Sequence, residues 1–141
     1  MKTVIVLVKH GVPPNDFPEG EMAELFSSQA RVRKIVGPEH AALERRIMEL
    51  ERKMRAWPRT ARKDPFYTGS RELAVQLSKV TGCQVITGFN EFCGPSVEDA
   101  LDHAIARGTQ KVVVVTPTMT RGGEHAEVDI PAAIKAARAS S

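Results

Sequence analysis

Cysteine is almost absent: Cys83 and Cys93 are the only two in 141 residues, ten positions apart. That spacing fits neither a zinc knuckle nor a CxxC redox pair, so both are expected as reduced, free thiols. Long hydrophobic runs are absent too. The apolar stretch at residues 3–8, Thr-Val-Ile-Val-Leu-Val, is far too short to span a bilayer and lacks the small-residue cleavage site of a signal peptide. The expectation is a cytoplasmic protein with no membrane association. An excess of one charge sign is also lacking, with a net charge of +3. Hydrophobic residues at 42% and charged residues at 26% are ordinary globular values, which exclude a disordered or fibrous chain.

The cations that are present are clustered. Eleven of the twenty Lys and Arg residues fall between positions 31 and 63, as a solvated helix face or as a contact for an anionic partner. Nucleic acid is disfavoured as that partner. The stretch holding Arg52, Lys53, Arg55, Arg59, Arg62 and Lys63 has no interleaved exposed aromatics and no recognised motif.

Three short β-branched runs read as buried parallel strands, at residues 3–8, 84–89 and 111–115. Helical patterns separate them. Leu73, Leu77 and Val80 recur at i, i+4 and i+7 before Gly82; Ser96 caps a helix through Val97, Ala100, Leu101, Ala104 and Ile105; a last helix starts at Asp129 with Pro131 in its first turn. Alternating strands and helices predict an α/β fold with a doubly wound parallel sheet. The whole of residues 1–141 is expected to form one domain, interrupted after the first strand by a helical insertion at about 18–66. Its first helix is predicted over residues 21–36, ending at Gly37-Pro38. In the second, Leu43, Ile47, Leu50, Met54 and Trp57 recur with heptad spacing, so the two helices form a hairpin packed seam to seam, or a seam that dimerises. Residues 58–65 read as a basic loop, and Trp57, Phe66 and Tyr67 as an aromatic cluster closing the insertion.

Ligands of doubly wound sheets bind beyond the carboxyl ends of the strands. His10 follows the first strand, Glu91 the second and His125 the third, within Arg121-Gly122-Gly123-Glu124-His125. Two imidazoles and a carboxylate on one edge suit a first-row divalent ion with open coordination positions. Each also has a plainer reading as a loop residue, as Gly122-Gly123 does as a turn and Asp129 as an N-cap.

These residues carry a resemblance. His10-Gly11 after the first strand, Phe89-x-Glu91 followed by Pro95-Ser96, and a valine strand ending Thr116-Pro117 before Gly122-Gly123-x-His125-x-x-x-Asp129-Ile130-Pro131 resemble the sirohydrochlorin cobaltochelatase family. The resemblance implies a tetrapyrrole chelatase whose substrates are a carboxylated macrocycle and a divalent ion, cobalt, nickel or iron, with no organic cofactor. It implies that His10 and His125 act as metal ligands or proton acceptors, with Glu91 as their orienting or proton-accepting partner. Arg121 and the backbone N–H groups of Gly122 and Gly123 are expected to receive peripheral carboxylates. It further implies a homodimer, consistent with only three strands being visible. Val12 stands where the family usually has Ser, and the insertion and the missing final strand are further departures. A non-catalytic tetrapyrrole or metal carrier of the same fold is therefore the competing reading.

Overall fold

The computed structural model describes residues 2–117, 128 and 130–140. Three parallel strands, β1 (Thr3–Lys9), β2 (Gln84–Phe89) and β3 (Lys111–Val115), form a sheet in the order β2-β1-β3. Among the described residues five helices accompany the sheet: α1 (Glu19–Val32), α2 (Pro38–Ala56), α3 (Pro65–Thr81), α4 (Val97–Ala106) and α5 (Ile130–Ser140). The α/β, doubly wound reading of the sequence holds.

β1 is the middle strand. Val8 lies beside Gly88 of β2, and Leu7 beside Val115 of β3. All five residues from Val4 to Val8 are buried, because a strand flanked on both sides and covered on both faces has no solvent side. β2 and β3 are outer strands and are only partly covered, which corrects the expectation of three fully buried ones. Alternation then sorts β1's side chains. Val4, Val6 and Val8 join Val97, Ala100, Leu101 and Ala104 of α4 and Ile130, Ala133 and Ala137 of α5 in one core. Lys9, of the opposite parity, lies over the Phe66 ring of α3, with Nζ 4.9 Å from the centroid, so α3 covers the other face. Each buried Val or Leu contributes roughly 1.5–3 kcal/mol relative to exposure. Gly88 permits α4 to lie against β2: a Cβ there would stand 3.0 Å from the Val97 Cα.

The segment between β1 and α3 forms the expected antiparallel pair of helices. Phe17, Leu25, Ile47, Leu50 and Met54 make a second core, with Met22, Val32, Leu43, Trp57 and Phe92 packed around it. The heptad seam is thus spent inside the chain. Arg46, half exposed, pairs with Glu24 across the two helices, and Lys53 pairs with Glu21. α1 stops at Val32, four residues short of its expected end, and leaves Val36 88% exposed. Gly37, with φ 81°, then makes the turn into α2.

Two further readings need correction. Trp57, Phe66 and Tyr67 do not cluster: Trp57 meets Phe17 edge-on at 5.1 Å, Tyr67 meets Phe89 at 5.8 Å, and Phe66 sits under Lys9. On α3 the apolar periodicity misleads as well, since Leu73 and Val80 are 43% and 85% exposed while Ser70 is buried. Ser70 can be buried because its hydroxyl donates to the Phe66 carbonyl at 2.8 Å.

Candidate active site

In the order β2-β1-β3 the crossovers from β1 to β2 and from β2 to β3 run in opposite directions. The switch lies beside β1, and the carboxyl edge there is where an open α/β sheet binds its ligand. His10 is the first residue past β1. Glu91 stands two residues past β2, in a loop whose Asn90 N–H donates to the Lys9 carbonyl at 2.9 Å and so prolongs the β1–β2 pairing beyond both strands. The two side chains meet: His10 Nδ1 donates to Glu91 Oε1 at 2.7 Å, with 40% and 31% of the side chains exposed. A proton on Nδ1 makes Nε2 the basic nitrogen of the neutral ring. Half-open to solvent, this pair is placed to exchange protons or to meet an ion.

Gly11 brings the backbones together. A Cβ at residue 11 would lie 2.0 Å from the Glu91 carbonyl oxygen, so any side chain there would drive the two loops apart.

His125, Arg121, Gly122 and Gly123, like Asp129, lie outside the described residues. Thr116 and Pro117 follow β3 at its carboxyl end. Among the described residues, no three His, Cys, Asp or Glu side chains gather as a metal-binding group. Cys93 is near Glu91 in sequence but is buried; burial pushes its thiol up from the ordinary range, and Sγ points at the Gly94 carbonyl at 3.5 Å. A thiol kept protonated in this way is a poor metal ligand. His40 pairs loosely with Glu44 in the first turn of α2, and His103 is exposed on α4. Neither joins the site.

Composition had suggested a charged surface where the structure places internal ties. Arg59, its side chain only 4% exposed, pairs with the buried Asp64 carboxylate at 2.6 Å and donates to the carbonyls of Val12, Met54, Trp57 and Phe92. Asp64 also accepts the Tyr67 N–H at 2.9 Å, capping α3. Arg55 donates to the carbonyls of Phe89, Asn90 and Cys93. Lys63 pairs with Asp16. Arg55 and Arg59 are thus turned inward and Lys53 and Lys63 are paired, while Arg52 and Arg62 stay exposed. No sequence signal distinguished these two arginines, because apart from Asp64, which pairs with Arg59, their partners are main-chain carbonyls.

Two spaces adjoin the loop. A cavity of about 130 Å³ lies between the hairpin and Glu91, lined by Gln29, Glu51, Arg55, Asn90 and Phe92. A groove of about 500 Å³ runs along the outer edge of β2 beneath α3, past Tyr67, Arg71, Val75 and Lys79. Neither His10 nor Glu91 lines the larger groove.

A doubly wound parallel sheet with a His10–Glu91 pair at its switch edge defines an α/β protein. The CbiX family profile matches residues 61–141, more than half of the sequence, and the chain belongs to that family. Family membership carries tetrapyrrole metal chelation as the general chemistry, with a divalent ion as substrate. The match takes in Glu91 and β2, α4 and β3; His10 and the central strand lie before it, on the far side of the hairpin. No curated protein and no solved structure matches the chain. Among the described residues no helix is long and apolar enough to cross a membrane.

Proposed function

We propose that this protein inserts cobalt, nickel or iron, as the divalent ion, into a carboxylated tetrapyrrole such as sirohydrochlorin, using His10, Glu91 and His125. The observation that carries the reading is the 2.7 Å contact between His10 Nδ1 and Glu91 Oε1 at the carboxyl edge. A free macrocycle must lose two pyrrole protons as the metal enters, so a base is needed at its face. His10 Nε2 accepts one such proton, and the Glu91 carboxylate offsets the charge that then appears on the ring. His125 is the second nitrogen donor, for the ion or for the other proton. Nitrogen and carboxylate donors hold a first-row ion without the thiolate grip that would slow its release. Arg121 and the N–H groups of Gly122 and Gly123 receive peripheral carboxylates. The protein acts as one unit in which the helical segment within residues 18–66 is an insertion.

Purified protein mixed with sirohydrochlorin and Co²⁺ is expected to produce the metallated absorbance spectrum over many turnovers. Binding of the macrocycle without turnover would overturn the enzyme reading and leave a carrier. Placement in the cytoplasm is part of the same proposal, with cell fractionation as its check.

A homodimer is part of it too. β3 is an outer strand, and Leu101, Ile105, Val112, Val114 and Ile134 line a cavity of about 320 Å³ beside it. A second copy pairing along that edge would bury these apolar groups over more than roughly 1,000 Å². Light scattering at micromolar concentration should give twice the 15.5 kDa chain mass. A particle of single-chain mass would remove the dimer.

A further inference from the structure

Glu91 opens a tight reversal. Its carbonyl accepts the Cys93 N–H at 2.8 Å across Phe92, whose φ is 65°. A bulky residue in this γ-turn geometry costs on the order of 1–3 kcal/mol and persists only where its surroundings over-determine it. Those surroundings come from the α1–α2 hairpin and the segment leaving it. The Phe92 ring packs on the hairpin core and meets Phe26 of α1 edge-on at 6.0 Å. Arg59 donates to the Phe92 carbonyl. Arg55, on α2, donates to the carbonyls of Phe89 at 3.3 Å, Asn90 at 3.1 Å and Cys93 at 2.6 Å. Two guanidinium groups therefore bind the carbonyls on both sides of Glu91, while the Glu91 carbonyl itself is wedged against Gly11.

We propose that the hairpin is the positioning device of the site: Arg55, with Arg59 and the Phe92 anchor, holds the turn that aims the Glu91 carboxylate at His10 Nδ1. Arg55 and Arg59 are positioning residues, acting through Glu91. The effect on rate rests on the chelatase reading; the effect on the His10–Glu91 contact does not. The hairpin, like His10 and β1, lies before the family match, whereas Glu91 and Phe92 lie within it.

The test uses the full chain with Arg55→Gln, Arg55→Lys and Phe92→Gly, the last removing both the anchor and the backbone cost. Circular dichroism first establishes that each is folded. Nitrogen-15 spectra of the His10 ring, assigned with His10→Gln, then report which ring nitrogen carries the proton. The wild type should show the Nδ1–H form, and Arg55→Gln and Phe92→Gly should move toward Nε2–H. For cobalt insertion into sirohydrochlorin, kcat should fall about tenfold while KM stays within about threefold, as for loss of a group that orients a ligand. Arg55→Lys should recover little, since one ammonium cannot reproduce the planar fork that serves three carbonyls. Wild-type ring spectra in folded Arg55→Gln and Phe92→Gly would overturn the proposal. A wild type that does not insert cobalt would overturn the functional reading instead, and the ring spectra would still decide this one.

Discussion

Replacing His10 by Ala should lower the rate of metal insertion by about 10²–10⁴-fold, the usual worth of a positioned general base. The loss should appear in kcat rather than in macrocycle affinity, because the proton moves only as the metal enters, whereas the carboxylated rim is bound throughout. Glu91→Gln should cost less, about 10- to 100-fold, as expected when the orienting partner of a histidine is altered while the histidine stays. Gln retains a carbonyl oxygen for the Nδ1–H but supplies no charge to offset an imidazolium. Stopped-flow absorbance with sirohydrochlorin and excess Co²⁺ measures both. A His10→Ala rate within about threefold of wild type would remove His10 from the chemistry, and an effect of Glu91→Gln larger than that of His10→Ala would reverse the assigned roles.

The largest expected effect on stability is at Asp64. Its carboxylate is 1% exposed, pairs with the nearly buried Arg59 and caps α3. Asp64→Ala leaves a guanidinium buried without its counter-charge, at a cost of about 3–5 kcal/mol, and removes an N-cap worth about 1 kcal/mol. Against a total stability of about 5–15 kcal/mol for a domain, this is a large fraction. Arg59→Met should cost a comparable amount, since it strands the buried Asp64 carboxylate without its counter-charge and four main-chain carbonyls lose a donor. The double variant should lose clearly less than the sum of the singles, because each change removes the penalty exposed by the other. Urea unfolding of the four proteins closes the cycle. A midpoint shift equivalent to less than about 1 kcal/mol for Asp64→Ala would show that water already screens the pair.

Local pattern was informative where the force that makes an element is itself local. Short β-branched apolar runs located the three described strands, heptad spacing located the α2 face that buries Ile47, Leu50 and Met54, and Ser96 marked the start of α4 with its hydroxyl accepting the Asp99 N–H. Periodicity failed at α3, where Leu73 and Val80 have the right spacing yet little to pack on. A repeat states that a face is apolar, not that a partner lies opposite it. The aromatic residues failed in the same way: Trp57 and Tyr67, ten positions apart, joined different neighbours. His10 and Glu91 were both legible as strand-end residues, although their distance was not.

By itself the sequence determined the kinds of element, their order, and the residues delivered to the carboxyl ends of the strands, because these follow from side-chain period, caps and turn residues within a few positions. Only the tertiary structure decided that β1 lies between β2 and β3, that His10 and Glu91 touch, and that Arg55 and Arg59 turn inward to bind carbonyls 33 to 47 positions away. The physical reason is that every residue but proline carries the same backbone donor and every residue the same acceptor. A guanidinium can select particular carbonyls only after packing has brought them together, and nothing in the order of side chains marks which ones those will be.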